Sequence, residues 1–173
     1  MKRFNLRMNS QDLKRAAKEI GDYSRELDEK GRQLSNLIAE RLRDEAATLF
    51  GAAVVDDYVR GNPAKADVTV RVESNGNVCV VIAEGEDAVF AEFGAGVYHN
   101  GSAGSSPHPL GARLGMTIGS YGKGNGRKST WGFYDETGQL RMTHGAPASM
   151  PMYRALLHVC DEVERLAREV FAS

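Results

Sequence analysis

The stretch Ala88-Val89-Phe90-Ala91-Glu92-Phe93-Gly94-Ala95-Gly96 separates two parts of the sequence that have different patterns. It is apolar apart from Glu92, and it ends at two glycines. The residues before it have regular hydrophobic periodicity, whereas those after it are rich in glycine, serine and proline until periodicity returns. We interpret this stretch as a hinge between a packed scaffold and an outward-facing loop. Loops of this kind often carry the binding residues of a protein.

Length and composition indicate a single globular domain, residues 1–173. The chain is 42% hydrophobic and 26% charged, as soluble proteins with a hydrophobic core are. Its net charge of -1 argues against a general nucleic-acid binder, because such proteins carry a basic excess. No run approaches the roughly 18 apolar residues of a membrane span, and the first residues lack the features of a signal peptide. We therefore expect a cytoplasmic protein without a membrane partner.

The two cysteines, Cys79 and Cys160, are far apart in the sequence and lie within apolar patterns. Small apolar thiols of this kind are usually buried and reduced in intracellular proteins. We expect both to be buried thiols, with neither a disulfide nor a catalytic nucleophile.

A long amphipathic helix is predicted over residues 10–50, with Ser10 as its N-cap. Apolar residues recur there at steps of three, four or seven and form one stripe, while the other face interleaves both charge signs. Gly31 could interrupt this helix, because glycine costs about 1 kcal/mol relative to alanine. The stripe is long for a small core, so part of it is expected to pack against another subunit.

Two β-hairpins are predicted over residues 66–84 and 130–143. The first has a type I′ turn at Asn75-Gly76, and its second strand is apolar on both faces, which favours a central position in a sheet. The second contains Trp131-Gly132-Phe133-Tyr134, whose aromatic side chains are expected to pack on the sheet.

A C-terminal helix is predicted over residues 149–171, with Ser149 as its N-cap and Pro151 in the first turn. Its apolar stripe is expected to pack on the sheet. The predicted fold class is α+β: a long N-terminal helix, a small mostly antiparallel sheet made of the two hairpins, the C-terminal helix on that sheet, and a long glycine-rich loop.

The glycine-rich loop, residues 94–128, is predicted to be flexible and locally basic. No acidic residue occurs between Phe93 and Tyr134, whereas Arg113, Lys123, Arg127 and Lys128 are cationic. The run Gly122–Lys128 lacks the spacing of a phosphate-binding loop and is typical of a flexible hairpin tip. One alternative function is a nucleic-acid-binding module that uses Lys123, Arg127 and Lys128, with Tyr121 and Trp131 as stacking residues.

No catalytic motif is present in the sequence, so we predict no catalytic residue, no metal and no cofactor. A metal site formed by His99, His108 and Glu92 is conceivable but is the less favoured interpretation. Glu92 is the single acid in an apolar stretch, and a semi-buried carboxylate needs a partner. We expect it to be a structural carboxylate that pairs with Arg113 or with a backbone amide.

Several short motifs resemble those of the tailed-phage tail-component family typified by the tenth gene product of phage HK-ninety-seven. Ala91-Glu92-Phe93-Gly94-Ala95-Gly96 resembles the family signature VEFGTG, and His108-Pro109, the aromatic strand at Trp131 and a Gly145-x-Pro147-x-x-x-Pro151 segment follow in the family's order. The sequence departs from the family at Ser149-Met150, where Arg-Pro-like residues are common, and by an insertion-like stretch near Gly119–Lys128.

The resemblance implies a non-enzymatic subunit of a phage or prophage neck or tail, for tail completion or head–tail joining. Its partners would be further copies of itself in a ring, hexameric in the virion, and adjacent head-connector, tail-terminator or tail-tube proteins. The motif residues would then lie at the assembly interface: Glu92, Phe93, Gly94, Gly96, His108, Pro109, Trp131, Gly145, Pro147 and Pro151. The cations Lys123, Arg127 and Lys128 could face DNA. The expected location is the virion, after assembly in the host cytoplasm.

Overall fold

A computed structural model of the chain describes residues 10–56, 58–96, 107–114 and 130–172. The fold class is α+β, as predicted. The helices are α1 (Ser10–Ala52), α2 (Ala88–Phe93) and α3 (Pro151–Ala172). The strands are β1 (Val54–Asp56), β2 (Ala64–Lys65), β3 (Thr69–Asn75), β4 (Val78–Glu84), β5 (Ala95–Gly96), β6 (Trp131–Tyr134), β7 (Leu140–Thr143) and β8 (Gly145–Ala146), with a short 3-10 turn at Ala112–Leu114.

Helix α1 is continuous over its 43 residues, so the predicted interruption at Gly31 is wrong. At 1.5 Å per residue it is about 64 Å long. Its C-terminal half packs against α3 and against the hairpin β3–β4. Buried residues are frequent from Ala39 onward, whereas most residues before Lys30 are exposed. The helix therefore has a packed half and a largely exposed half.

The described strands form separate antiparallel pairs, and not the single small sheet that was predicted. The pairs are β1 with β2, β3 with β4, β5 with β8, and β6 with β7. A single bridge between Tyr58 and Thr143 links the region of β1 to β7. Both predicted hairpins exist, but each packs on helices or loops and does not extend the other.

The turn between β3 and β4 is one residue further along the chain than predicted. Asn75 pairs with Val78, so the central turn residues are Gly76 and Asn77. Among the described non-glycine residues a positive φ occurs only at Met150, so Gly76, with φ +63°, is the one turn residue in the left-handed region. Glycine at the first central position is typical of a type II′ turn, which replaces the predicted type I′ turn.

Strand β4 is not central, because β3 is its single neighbour among the described strands. Its inward side faces α1, where Cys79 Sγ lies 3.1 Å from Asn36 Oδ1. Its outward side carries Val78, which is 63% exposed, and Val80. The apolar character of both faces therefore does not indicate burial in this protein.

The core is small and rich in alanine, and it lies where the packed half of α1 meets β1, α2 and α3. Its members are Ala46, Phe50, Ala53, Val55, Ala91 and Ala155. Helix α3 packs mainly on α1, so the predicted packing of this helix on a sheet is wrong. Alanines at the contact allow close approach of the elements, and Phe50 is the largest fully buried side chain among the described residues.

The hairpin β6–β7 is closed by Asp135. Its carboxylate accepts hydrogen bonds from Thr137 N (3.0 Å), Gln139 N (2.9 Å) and Arg141 Nε (2.8 Å). The bond from the Thr137 hydroxyl group and the contact with Arg141 hold the pKa of this carboxyl well below its usual range. Phe133 stacks on Tyr58, as predicted for packed aromatics, whereas Tyr134 is exposed.

The cysteines differ from their predicted burial. Cys79 is half-buried and Cys160 is exposed, and both are free thiols. Within the described ranges, no helix is long and apolar enough to cross a membrane.

Candidate functional site

The stretch predicted as a hinge forms helix α2 and strand β5, and its acid is buried. Glu92 is 7% exposed. Its Oε2 accepts a hydrogen bond from Met152 N at 2.8 Å, and its Oε1 accepts one from Tyr153 N at 3.0 Å. The prediction of a structural carboxylate bonded to backbone amides is confirmed. Arg113, the alternative partner, lies in the exposed 3-10 turn.

Glu92 acts as the N-terminal cap of α3 from a distance. Met152 and Tyr153 follow Pro151 in the first turn of α3, where backbone amides lack helical acceptors. A carboxylate there also interacts favourably with the helix dipole. Ser149 was predicted to supply this cap, but the amides that an N-cap binds are taken by Glu92. The backbone of Ser149 is instead bound to Ala91 O, at 2.9 Å.

His108 is the third partner of the carboxylate. It is 5% exposed, and its Nε2 lies 2.9 Å from Glu92 Oε1. The amide of Leu110 donates a hydrogen bond to His108 Nδ1 at 3.0 Å. Because Nδ1 accepts this bond, the proton of the ring is on Nε2, which donates to Glu92. The histidine therefore connects residues 107–114 to α2.

Two aromatic rings pack against the imidazole of His108. The ring centroid of Phe93 lies 4.4 Å away with a 55° interplanar angle, and that of Tyr153 lies 5.2 Å away with a 59° angle. Tilted rings at such distances pack favourably. We call this group, consisting of Glu92, Phe93, His108, Tyr153 and the amide of Met152, the buried junction.

The glycines after α2 bring the chain close to the segment that precedes α3. Gly94 has φ +82°, and a side-chain carbon at this position would lie 2.9 Å from Ala148 N. Neither the φ angle nor the space suits another residue. Directly afterwards, Ala95 pairs with Ala146 and Gly96 with Gly145 in the two-stranded sheet β5–β8. The backbone thus joins the two segments over several residues.

Three of the four motifs that carry the family resemblance meet at or beside this junction, although they are dispersed in the sequence. Glu92, Phe93 and Gly94 come from α2 and its end, and His108 and the exposed Pro109 come from the described part of the loop. Gly145 and the exposed Pro147 lie in the segment that leads into α3, and the fully buried Pro151 is the first residue of α3. Trp131 lies elsewhere, in β6, where it pairs in register with Thr143.

The burial of this group changes the role predicted for it. Five of the motif residues are buried within this chain and so do not form an outer contact surface: Glu92, Gly94, His108, Gly145 and Pro151. Their effect on any assembly interface would be exerted through the elements that they hold in place. Lys123, Arg127 and Lys128, predicted to face DNA, and most of the flexible loop lie outside the described residues.

The contacts of the junction favour a structural role over a catalytic one. Three donors are directed at the Glu92 carboxylate, and little of its surface meets solvent. A catalytic acid or base needs access to a substrate proton. His99, one member of the conceivable metal site, lies outside the described residues, and the described part of the chain holds no group of three or more potential metal ligands.

A second partly buried carboxylate, Asp56, has a different environment. Its Oδ2 has a long contact of 3.5 Å with the hydroxyl group of Tyr58. Burial, followed by repulsion from Asp87, raises the pKa of Asp56. Fewer donors stabilise the ionised form of Asp56 than that of Glu92.

No protein-family model, curated protein or solved structure matches this chain. Sequence reasoning identified Glu92 as a structural carboxylate, but it grouped His108 with Glu92 only in the less favoured metal site and did not predict their direct hydrogen bond. The chemical type of the two residues is the signal that could have indicated their contact. Glu92 and His108 are each a polar residue in a short motif, and both motifs belong to the same family resemblance. Their separation of 16 residues gives no periodic pattern that would show contact.

Proposed function

We propose that this chain is a structural, non-enzymatic subunit of a phage or prophage neck or tail, which acts in tail completion or head–tail joining by ring assembly. The observation that carries the proposal is the convergence of separate family-like motifs on one buried junction. Chance matches to short motifs would have no reason to meet in space. Motifs that specify one shared fold would be expected to do so.

The surface of the protein is suited to assembly. Large apolar side chains are exposed on three elements that do not belong to the junction: α1, β4 and the hairpin β6–β7. The exposed members include Ile20, Val80, Tyr134 and Leu140. Apolar surface of this kind on a soluble protein often marks contacts with other proteins. A ring needs two different surfaces on each subunit, so that each copy binds the next in the same sense.

Under this proposal the protein would be located in the virion, with assembly in the host cytoplasm. Its partners would be its own copies and the adjacent connector, terminator or tube proteins. The buried junction would fix the orientation of α3 and of residues 107–114 relative to the core, and thereby the positions of the contact surfaces. The proposal includes DNA contact through Lys123, Arg127 and Lys128, and this part rests on the sequence alone.

The test is deletion of the gene from a host that produces the particles, followed by electron microscopy of the lysate. We expect separate heads and tails, and recovery of joined particles when the intact gene is supplied in trans. The matched control is complementation with a Glu92→Ala gene, which should restore fewer particles than a gene with Arg168→Ala, a substitution at a side chain that is 78% exposed. Normal numbers of complete particles in the deletion strain would contradict the proposal.

A nucleic-acid-binding function would give a different result. Binding of the purified chain to DNA would then weaken steeply with salt, because neutralised phosphates release counterions. Substitution of Lys123, Arg127 and Lys128 by glutamine would abolish that binding. Particle joining would not require the gene.

A further inference from the structure

The exposed half of α1 carries an apolar stripe with a strict spacing. Leu13, Ile20 and Leu27 follow each other at seven-residue steps and are 48%, 52% and 40% exposed. We call these three residues the front stripe. Because seven residues make nearly two helical turns, the three side chains lie on one side of the helix. The next position at this spacing, Leu34, belongs to the part of α1 where burial increases.

The positions between them complete a heptad pattern. Ala16, which is 8% exposed, lies between Leu13 and Ile20, and the half-buried Tyr23 lies between Ile20 and Leu27, at the spacing of the second core position of a coiled coil. A seven-residue repeat matches a helix that winds around another helix, whereas packing on a globular core favours a wider apolar face. The occupant that this spacing fits is therefore a second helix with the same repeat.

The charges beside the stripe select the direction of that second helix. One flank carries Asp12, Glu19 and Glu26, and the other carries the uncharged residues Ala17, Ser24 and Gly31. In a parallel pair of identical helices, each acidic flank faces the uncharged flank of the partner. In an antiparallel pair the two acidic flanks would face each other and repel. The pattern thus allows parallel self-association and disfavours the antiparallel form.

We propose that the exposed halves of α1 from neighbouring copies of this chain pack in parallel and in register, with the front stripes facing the common axis and the acidic flank of each copy against the uncharged flank of the next. This inference rests on the proposed ring, and it names the surface that joins its subunits. Rotation about a ring axis keeps helices that run along the axis parallel to one another. The same symmetry would exclude an antiparallel pair between neighbours. The direction selected by the charges therefore agrees with the symmetry of a ring.

The test uses single cysteines in the full chain, with Cys79→Ser and Cys160→Ser to remove the native thiols. Leu13→Cys, Ile20→Cys and Leu27→Cys are each oxidised in solution at several protein concentrations. Parallel, in-register helices place each residue beside its copy, at a separation that a disulfide or a short bismaleimide linker can bridge. We expect all three variants to form covalent dimers, which is the largest product that one thiol per chain allows. Lys18→Cys, on the opposite side of α1, is the control and should react at least about tenfold more slowly.

The pattern of cross-links decides between the arrangements. Cross-linking at position 20 alone, together with mixed products between Leu13→Cys and Leu27→Cys chains, would show antiparallel packing and overturn the inference. Equal reactivity of Lys18→Cys and Ile20→Cys would show random collision and also overturn it. All variants share the Cys79→Ser and Cys160→Ser background and differ from it at one exposed position each, so they should fold alike, which circular dichroism would verify.

Light scattering separates this inference from the proposed function. The double variant Ile20→Asn with Leu27→Asn should raise the dissociation constant of self-association by about tenfold or more, whereas Lys18→Asn with Arg25→Asn, at the same spacing, should leave it nearly unchanged. Self-association that is equal in both variants would overturn the inference and leave the ring intact. A chain that stays monomeric at every concentration would overturn it as well, and the gene deletion would then decide the proposed function alone.

Discussion

The buried junction and the front stripe are opposite exceptions to the usual distribution of residues. The junction places a carboxylate and an imidazole in the interior, and the front stripe places leucine and isoleucine in solvent. The first exception is explained within the chain, because every group of the junction has a partner there. The second has no such explanation among the described residues, and we propose a second copy of the chain as its partner.

This difference shows how each kind of exception should be interpreted. A buried polar group that is satisfied by neighbours in the same chain indicates a fixed local structure. An exposed apolar row with regular spacing indicates a missing contact. The two regions should therefore respond differently to substitution: the junction in the stability of the isolated chain, and the front stripe in association between chains.

The largest effect is expected for Glu92→Ala. The substitution leaves the amides of Met152 and Tyr153 without an acceptor and removes the partner of His108, so the free energy of unfolding should fall by about 2 to 4 kcal/mol. Urea unfolding followed by circular dichroism measures the loss. Glu92→Gln is the matched control: it keeps an acceptor oxygen and should lose less. A Glu92→Ala chain as stable as the wild type would mean that the carboxylate does not brace α3.

His108→Ala should have a smaller effect, about 1 to 2 kcal/mol, because the two amides keep their acceptor while one donor and the ring packing are lost. The same unfolding experiment measures it. His108→Gln retains a donor and should recover part of the loss. If His108→Ala and His108→Gln each lowered the free energy of unfolding more than Glu92→Ala does, the histidine and not the carboxylate would be the centre of the junction.

Asp56→Asn should have the opposite sign. Burial raises the pKa of Asp56, so its ionised form opposes folding at neutral pH, and the amide removes that charge. At this half-exposed position the gain should be at most about 0.5 kcal/mol. This gain in stability should shrink as pH falls through the raised pKa of Asp56 in the folded state, because the wild-type carboxyl is then protonated and as uncharged as the amide. Thermal unfolding at pH 7 and at lower pH values tests this, and a gain that persists at acid pH would assign the effect to packing.

The smallest effect on the isolated chain is expected for Ile20→Asn with Leu27→Asn. At dilutions where the chain is monomeric, the free energy of unfolding should change by less than about 0.5 kcal/mol, because both side chains already meet solvent. A loss of several kcal/mol in the monomer would show that another segment of the same chain covers the front stripe.

Periodicity predicted the two long helices and both hairpins, because these elements depend on residues near each other in the sequence, but it did not predict α2. It did not predict which element each face contacts. The outward valines of β4 follow the same pattern as buried ones, and the stripe of α3 does not distinguish a sheet from a helix as its partner. Tertiary contacts decide such questions, and a local pattern does not contain them.

The junction illustrates the same limit for the candidate site. A lone acid at position 92 in an apolar stretch was enough to predict a partnered carboxylate. The sequence did not show which groups donate hydrogen bonds to this carboxylate, since His108 lies 16 residues later and Met152 lies 60 residues later. The glycine at position 94 was visible as a break in the pattern, but its close approach to Ala148 depends on how the chain folds back.

The long-range cap of α3 has a consequence for the order of folding. A serine or aspartate next to a helix can cap it as soon as the first turn forms, but Glu92 must wait until a chain segment of 60 residues has closed into a loop. During synthesis, α2 leaves the ribosome before α3 exists, and its carboxylate remains hydrated in the meantime. The start of α3 and the dehydration of Glu92 should therefore be a single late event in the folding of this protein.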